Sequence, residues 1–419
     1  MWNNTRRGFN LIRWRNNARQ SRLVRNKSLG VMTCIFGLFL LLAGIIVYFK
    51  INPLSDTNKV GNNEVNEASN AYVDIYKDNA KVDNPQNKEN SDFNNNTSLN
   101  NDTKVEEKYF SLIALGEIMM GNVDFKNYSL SFKDVSEVAK DADYTVTSLT
   151  TNIVDLEKIE DPKSKYIVNK NILKAFNALG VDGINVASDH MLDFGKNIFN
   201  GTTSILNEAK LDIVGIQDDI IYAEHDGIKV ALIGVSNEII GSYSNFTAAK
   251  IWVYDNYMIK IKEAIKKAKE SADTVVLITH LGSENSHEVT SVMEWFYHEL
   301  VNAGADLVLG NHALGVYPIE IYKGVPIIYS LGYFMHDTSY DVGKKSGIFK
   351  FTIDVEGNIK SLEFTPTYIT ESGVKLYSEY NKEEALKFMK YVGNYSNLDE
   401  NINSYDIKFN AKSMTIIFK

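Results

Sequence analysis

Residues 108–419 of this chain are predicted to form a mixed α/β body, and three features of the sequence carry that reading. Short apolar runs alternate with longer stretches whose apolar residues recur at helical spacing. The turn pairs Asp226-Gly227 and Lys323-Gly324 join neighbouring apolar runs as hairpins. Three of the seven histidines, His190, His280 and His312, stand just past apolar runs that read as buried strands.

The elements follow in order. A strand over 109–115 runs into Gly116-Glu-Ile-Met-Met-Gly121, and 143–149 is rich in strand formers. A helix over 171–179 leads to a strand over 183–188. The stretch 197–209 carries Ile198, Phe199, Ile205 and Leu206 on one helical face, and a strand over 213–216 follows. Runs at 220–223 and 228–235 form the hairpin about Asp226-Gly227. In 257–271, Ile259, Ile261, Ala264, Ile265 and Ala268 recur at helical spacing. A strand over 274–279, a helix over 289–303 and a strand over 307–309 complete a β-α-β unit. Hairpins about Lys323-Gly324 (316–322 with 325–331) and about Glu356-Gly-Asn358 (347–355 with 359–364) add antiparallel pairs. Alternation of this kind with added hairpins gives a mixed sheet or a layered sandwich. No internal repeat, P-loop or dinucleotide fingerprint interrupts it.

Composition shifts sharply before this body. Residues 1–27 hold eight basic residues (Arg6, Arg7, Arg13, Arg15, Arg19, Arg22, Arg25, Lys27) and no acid, reading as a basic cytoplasmic tail. Residues 28–49 are uncharged and apolar, the length of one membrane-spanning helix. The excess of positive charge before that run predicts an N-terminus in the cytoplasm and everything after Lys50 outside the cell membrane. A cleaved signal peptide fits less well, because no small-residue cleavage site follows the apolar run. Residues 50–107, in which asparagine dominates and apolar residues are sparse, are expected to be a disordered linker.

The chemistry available to the body is bounded by what it lacks. The one cysteine, Cys34, lies in the apolar segment, so thiolate ligands and cysteine nucleophiles are excluded. The body has no arginine and a negative balance, so it has no guanidinium forks for phosphate and no field to attract nucleic acid. Any metal site must use His, Asp, Glu or Asn. Ligands in open α/β sheets collect past the carboxyl ends of the strands. Three imidazoles delivered there from three strands can converge on one ion. The plain alternative is three unrelated polar residues where strands meet loops.

Five motifs then occur in a fixed order: Gly116-Glu-Ile-Met-Met-Gly121, Ala187-Ser-Asp-His-Met-Leu-Asp-Phe-Gly195, His280-Leu-Gly-Ser-Glu284, Gly310-Asn-His-Ala-Leu-Gly-Val-Tyr-Pro318 and Ile328-Tyr-Ser-Leu-Gly-Tyr-Phe334. Together they resemble the capsule-synthesis CapA family, the poly-γ-glutamate synthesis accessory proteins, a branch of the calcineurin-like metallophosphatase superfamily. The resemblance covers roughly residues 109–370 and implies a four-layer αββα sandwich of metallophosphatase type; the body is accordingly read as a CapA-like α/β domain over 108–375, with 376–419 as a C-terminal extension packing on it. It implies metal ligation by Glu117, Asp189, His280 and His312, proton transfer by His190 and His280, and a pocket also lined by Asp193, Glu284 and Asn311.

The departures from the family pattern matter equally. Glu117 stands where the family has Asp, and Asp189 where it has Asn. Ser148 and Thr150 occupy positions of an Asn and a Glu, Leu314 that of a second histidine, and Tyr333 that of an Asn. A two-metal centre needs several such groups. The expectation is therefore one divalent ion (Mn, Mg or Zn) or no metal at all. The function expected is a membrane-anchored accessory subunit in capsule or poly-γ-glutamate biosynthesis. Its partners would be the envelope polymer and membrane-bound polymer-synthesis proteins. The alternatives are a metal-dependent hydrolase or transferase acting on an envelope polymer or phosphoester, and a signalling or adhesion ectodomain. Residue by residue, His190 can instead anchor a loop, Asp193 can cap the helix beginning near Gly195, Glu284 can be a solvated acid, and Tyr333 can be packing. His225, His287, His298 and His336 read as ordinary surface or loop residues.

Overall fold

The computed structural model describes residues 107–120, 131–154, 166–216, 219–236, 250–282, 288–394 and 405–419, the side chains of 250–257 excepted. The chain divides into two units, Met1–Asn101 and Asp102–Lys419, and every described residue belongs to the second. The predicted tail and membrane helix, and the predicted linker except its last residue, Glu107, lie outside the described residues. Among those described, no helix is long and apolar enough to cross a membrane.

The strands, in chain order, are β1 (Phe110–Met119), β2 (Tyr144–Leu149), β3 (Asn152–Val154), β4 (Ile167–Asn169), β5 (Gly183–Asn185) and β6 (Asp212–Val214). Then come β7 (Ile221–His225), β8 (Ile228–Ser236), β9 (Thr274–His280), β10 (Leu307–Asn311), β11 (Ile319–Tyr322) and β12 (Val325–Ile328). The last are β13 (Tyr333–His336), β14 (Lys345–Ile353), β15 (Ile359–Thr370), β16 (Gly373–Leu376), β17 (Tyr405–Phe409) and β18 (Met414–Phe418). Among the described residues, five helices of more than one turn join them: α1 (Leu173–Leu179), α2 (Lys196–Glu208), α3 (Lys250–Lys269), α4 (Ser291–Asn302) and α5 (Lys382–Val392).

One sheet runs in the order β17-β18-β15-β14-β1-β2-β5-β6, with β13 also paired to β1 and β16 to β15. The other runs β11-β12-β10-β9-β8-β7, and β3 and β4 pair as a ribbon. In the first sheet β1, β2, β5 and β6 are parallel. In the second, β8, β9, β10 and β12 are parallel. The mixed α/β expectation therefore holds.

Strand alternation builds the layers. Leu112 and Ala114 of β1, with Phe349 and Phe351 of β14, share a core with Leu232 of β8 and Val276 and Ile278 of β9. That core lies between the two sheets. The intervening residues Ile113 and Leu115 of β1 turn the other way, onto Phe176 and Leu179 of α1 and Leu206 of α2. On the second sheet, Val275 and Leu277 of β9 turn outward onto Ile265 of α3 and Phe296 and Leu300 of α4. The order is thus helices, sheet, sheet, helices. The described residues of 376–419 join the same body: Phe388 and Met389 of α5 and Met414 and Ile416 of β18 lie in the inter-sheet core, and β18 pairs with β15.

Local chemistry sets the element ends. Thr290 caps α4 by accepting the Met293 N–H, and Gly180 ends α1 at φ 66°. The strand expected over 183–188 stops at Asn185, whose Oδ1 accepts the Ala187 N–H and bends the chain away from the sheet. Gly116, one residue before Glu117, is fixed by close approach. A Cβ there would meet Gly332 O at 2.4 Å and Leu331 O and Phe334 N at 2.9 Å. All three are backbone atoms and cannot swing aside. Gly116→Ala is expected to destabilise the fold by about 3 kcal/mol or more, measured by urea unfolding; a loss under about 1 kcal/mol would show that β1 and the 331–334 segment can separate without cost.

Candidate metal centre

Glu117, His280, His312 and the pair Asp189 and His190 arrive from four separate segments at the carboxyl ends of parallel strands. Glu117 lies near the end of β1, beside irregularities in its pairing with both β2 and β13. His280 is the last residue of β9, and His312 directly follows β10. Asp189 and His190 occupy the turn after β5. His312 has φ 92°, a left-handed conformation unusual for a residue with a side chain. That conformation aims its N–H at Glu117 Oε2, 3.2 Å away. The bond joins the two sheets at the site.

Asp189 is the hub. Its Oδ1 lies 3.0 Å from His280 Nε2, and its Oδ2 lies 3.4 Å from His190 Nε2 and 3.8 Å from His312 Nδ1. The rings of His280 and His312 are 4.6 Å apart. His280 Nδ1 is 3.7 Å from Glu117 Oε2. Burial alone would raise the Asp189 pKa. The His280 hydrogen bond and the charges of His280, His190 and His312 overcome it and hold the group down at about 2. Glu117 goes the other way. Burial pushes its carboxyl up to about 7, opposed by His280 and reinforced by the Asp189 charge.

His190 is fixed on three sides. Its Nδ1 meets Asp193 Oδ2 at 2.7 Å, Asn152 Nδ2 donates to its carbonyl at 3.1 Å, and the Tyr166 ring stacks on it at 3.6 Å. Asp193 therefore does not cap α2; the residue before that helix is Gly195, without a side-chain cap. With Nδ1–H directed to the carboxylate, His190 presents Nε2 towards Asp189, the arrangement of an oriented acid or base. Tyr166 and Asn152 were not foreseen. Both contacts join residues far apart in sequence, and no local pattern marks them.

The other expected residues fall as follows. Asn311 is buried, donates to Thr279 O at 3.2 Å, and leaves Oδ1 without a hydrogen-bond partner among the described residues. Glu284 and His287 lie outside the described residues. Ser148 accepts from Asn185 Nδ2 at 3.0 Å, and the Thr150 hydroxyl has no hydrogen-bond partner among the described residues. Leu314 and Tyr333 pack with Met119, and Tyr166 lies against them. Leu314 and Tyr333 thus form an apolar wall at two of the positions where the resemblance implies polar ligands. His298, expected to be an ordinary surface residue, instead pairs with the buried Glu320 at 3.0 Å.

Asp189, His280 and His312 offer ligand atoms within 4.8 Å of one another. Glu117 Oε1 is buried with no hydrogen-bond partner among the described residues. A mixed N/O donor set beside an unsatisfied buried carboxylate oxygen suits a divalent cation.

Residues 111–338, which include this whole cluster, match the family model for the bacterial capsule synthesis protein PGA_cap. The chain belongs to that family. A capsule biosynthesis protein CapA of Bacillus anthracis is 27% identical over 292 residues, covering 64% of this chain and 70% of that protein. A PGA biosynthesis protein CapA of Bacillus subtilis is 27% identical over 276 residues, covering 62% and 71%. Among solved structures, a candidate 5′-nucleotidase of Staphylococcus aureus overlaps loosely, at TM-score 0.41 and 12% identity, covering 71% of this chain and 56% of that one.

In this PGA_cap chain the elevated Glu117 pKa has a consequence for stability. The folded, metal-free protein holds a proton on Glu117 between about pH 4.5 and about 7, where an unfolded chain has released it. Stability from this group is therefore lost as pH rises through that window. Glu117→Gln should leave the chelator-treated protein nearly unchanged at pH 5 and stabilise it at pH 8, by on the order of 3 kcal/mol at most. Urea unfolding at the two pH values measures this, and an equal effect at both would show that the acid is not neutral in the fold.

Proposed function

We propose that this chain is a membrane-anchored accessory subunit of capsule or poly-γ-glutamate biosynthesis, its α/β body outside the cell. The observation that carries the proposal is the family match over 111–338, which contains the whole metal-type cluster. The names of the Bacillus relatives, capsule and PGA biosynthesis proteins, support the same process. The layer order of helices around two sheets supports a sandwich of metallophosphatase type. The basic residues before an uncharged run at 28–49 support a single-pass anchor with a cytoplasmic N-terminus. The asparagine-rich stretch after it suits a tether reaching roughly 40 Å. Membrane-bound polymer-synthesis proteins and the emerging polymer are the partners such a tether would serve.

The cluster suits one divalent ion (Mn, Mg or Zn), held by Asp189, His280 and His312 with Glu117 beside them. An ion there would neutralise the paired carboxylates and could bind an anionic group of the polymer, a task the arginine-free body otherwise leaves to lysines. The apolar wall of Met119, Leu314 and Tyr333 narrows the room for a second ion. A second reading, a hydrolase or transferase acting on the polymer or a phosphoester, is favoured by the oriented His190–Asp193 pair.

One complementation experiment separates the two readings. A strain lacking this chain should lose surface polymer, and the His190→Ala chain should restore it to within about twofold of wild type. Catalysis through His190 instead predicts loss of the 10²–10⁴-fold typical of a missing acid or base, on the order of complete loss of polymer at normal protein level. Topology has its own test: protease added to intact protoplasts should remove the body, and full protection of residues 108–419 would overturn the extracellular placement.

A further inference from the structure

We propose that Glu294, His298 and Glu320 form a second divalent-metal site, of zinc type, on the outer face of the second sheet. The site is separate from the Asp189 cluster and does not rest on the functional reading above. Glu294 and His298 are four residues apart on α4, so their side chains share one face of that helix. Glu320 reaches the same point from β11, the edge strand of the sheet. The three residues offer ligand atoms within 4.8 Å of one another.

Three further observations favour a built site over a chance meeting of polar groups. Glu320 is only 2% exposed, and a buried carboxylate needs strong compensation. Lys323, three residues on, turns to Asn302 Oδ1 at 2.6 Å instead. His298 Nε2 faces the carboxylate evenly, 3.0 Å from each oxygen. Both partners are also held from behind. The Tyr329 hydroxyl donates to Glu320 Oε2 at 2.6 Å, and the Tyr322 ring stacks on His298 at 3.7 Å with the planes 2° apart. Outer groups that orient an imidazole and a carboxylate are the usual support of metal ligands. Two carboxylates and a neutral imidazole leave two negative charges for the ion to balance. One nitrogen among oxygens selects Zn²⁺ and similar ions over Mg²⁺ or Ca²⁺, which prefer oxygen alone. The ion would clamp α4 to the sheet edge.

The test uses the full chain in detergent with His280→Ala and His312→Ala together, which disables the Asp189 cluster. Titration with Zn²⁺ by calorimetry, and with Co²⁺ by its visible absorption, should find one equivalent bound. Adding His298→Ala should weaken it by at least about 100-fold, and Tyr329→Phe, which keeps all three ligands, by about 10–100-fold. Glu294→Gln, at a position less buried than Glu320, should also weaken binding and serves if the His298→Ala chain does not fold. Circular dichroism checks folding throughout. No bound zinc in the His280→Ala/His312→Ala chain, or zinc unaffected by His298→Ala and Glu294→Gln, would overturn the proposal and leave an ordinary His298–Glu320 ion pair.

Discussion

The carboxylate of Glu117 is the constraint around which the site is organised. It is buried at the end of β1 in one sheet, and its Oε2 accepts the N–H of His312 at the end of β10 in the other. An uncompensated carboxylate in that position costs several kcal/mol, so the surroundings must answer it. They do so in two ways. His312 adopts φ 92° to deliver its N–H, and His280 stands 3.7 Å away. The same two histidines then face Asp189, which keeps its charge while Glu117 tends to lose its own. Two nearby carboxylates with pKa values driven apart, and imidazoles between them, form an arrangement that a cation would relax.

The sandwich exists to bring these strand ends together. Alternation along β1 and β9 sends one side chain to the inter-sheet core and the next to a helix layer, so both sheets are covered on both faces. The parallel strands then end together, and the loops beyond them carry the polar residues. Gly116 lets the 331–334 backbone close over β1 beside Glu117, which ties the position of the acid to the packing of the sheet.

Much of this was legible in the sequence because the signals are local. The apolar runs before His280 and His312, the Asp226-Gly227 hairpin and the helical spacing of Ile261, Ile265 and Ala268 each specify an element without long-range information. What was not legible depends on distant pairing. β13 is four residues long and takes its meaning from β1, more than two hundred residues earlier. Tyr166 gains its place only when the turn after β5 brings His190 beneath its ring. His298 reads alone on a helix, and the buried Glu320 it meets comes from another element. The helix α5 also carries a local signal: Asn381 caps it, and Ala385, Phe388, Met389 and Val392 follow at helical spacing.

The central claim is a single ion at the Asp189 cluster, with an apolar wall in place of a second. Anomalous diffraction from crystals grown with Mn²⁺ or Zn²⁺ tests it most directly, because it locates each ion. The account predicts one peak among Asp189, His280, His312 and Glu117. Two peaks there about 3.5–4 Å apart, the spacing of a two-metal phosphoester centre, would contradict it, as would no peak at all.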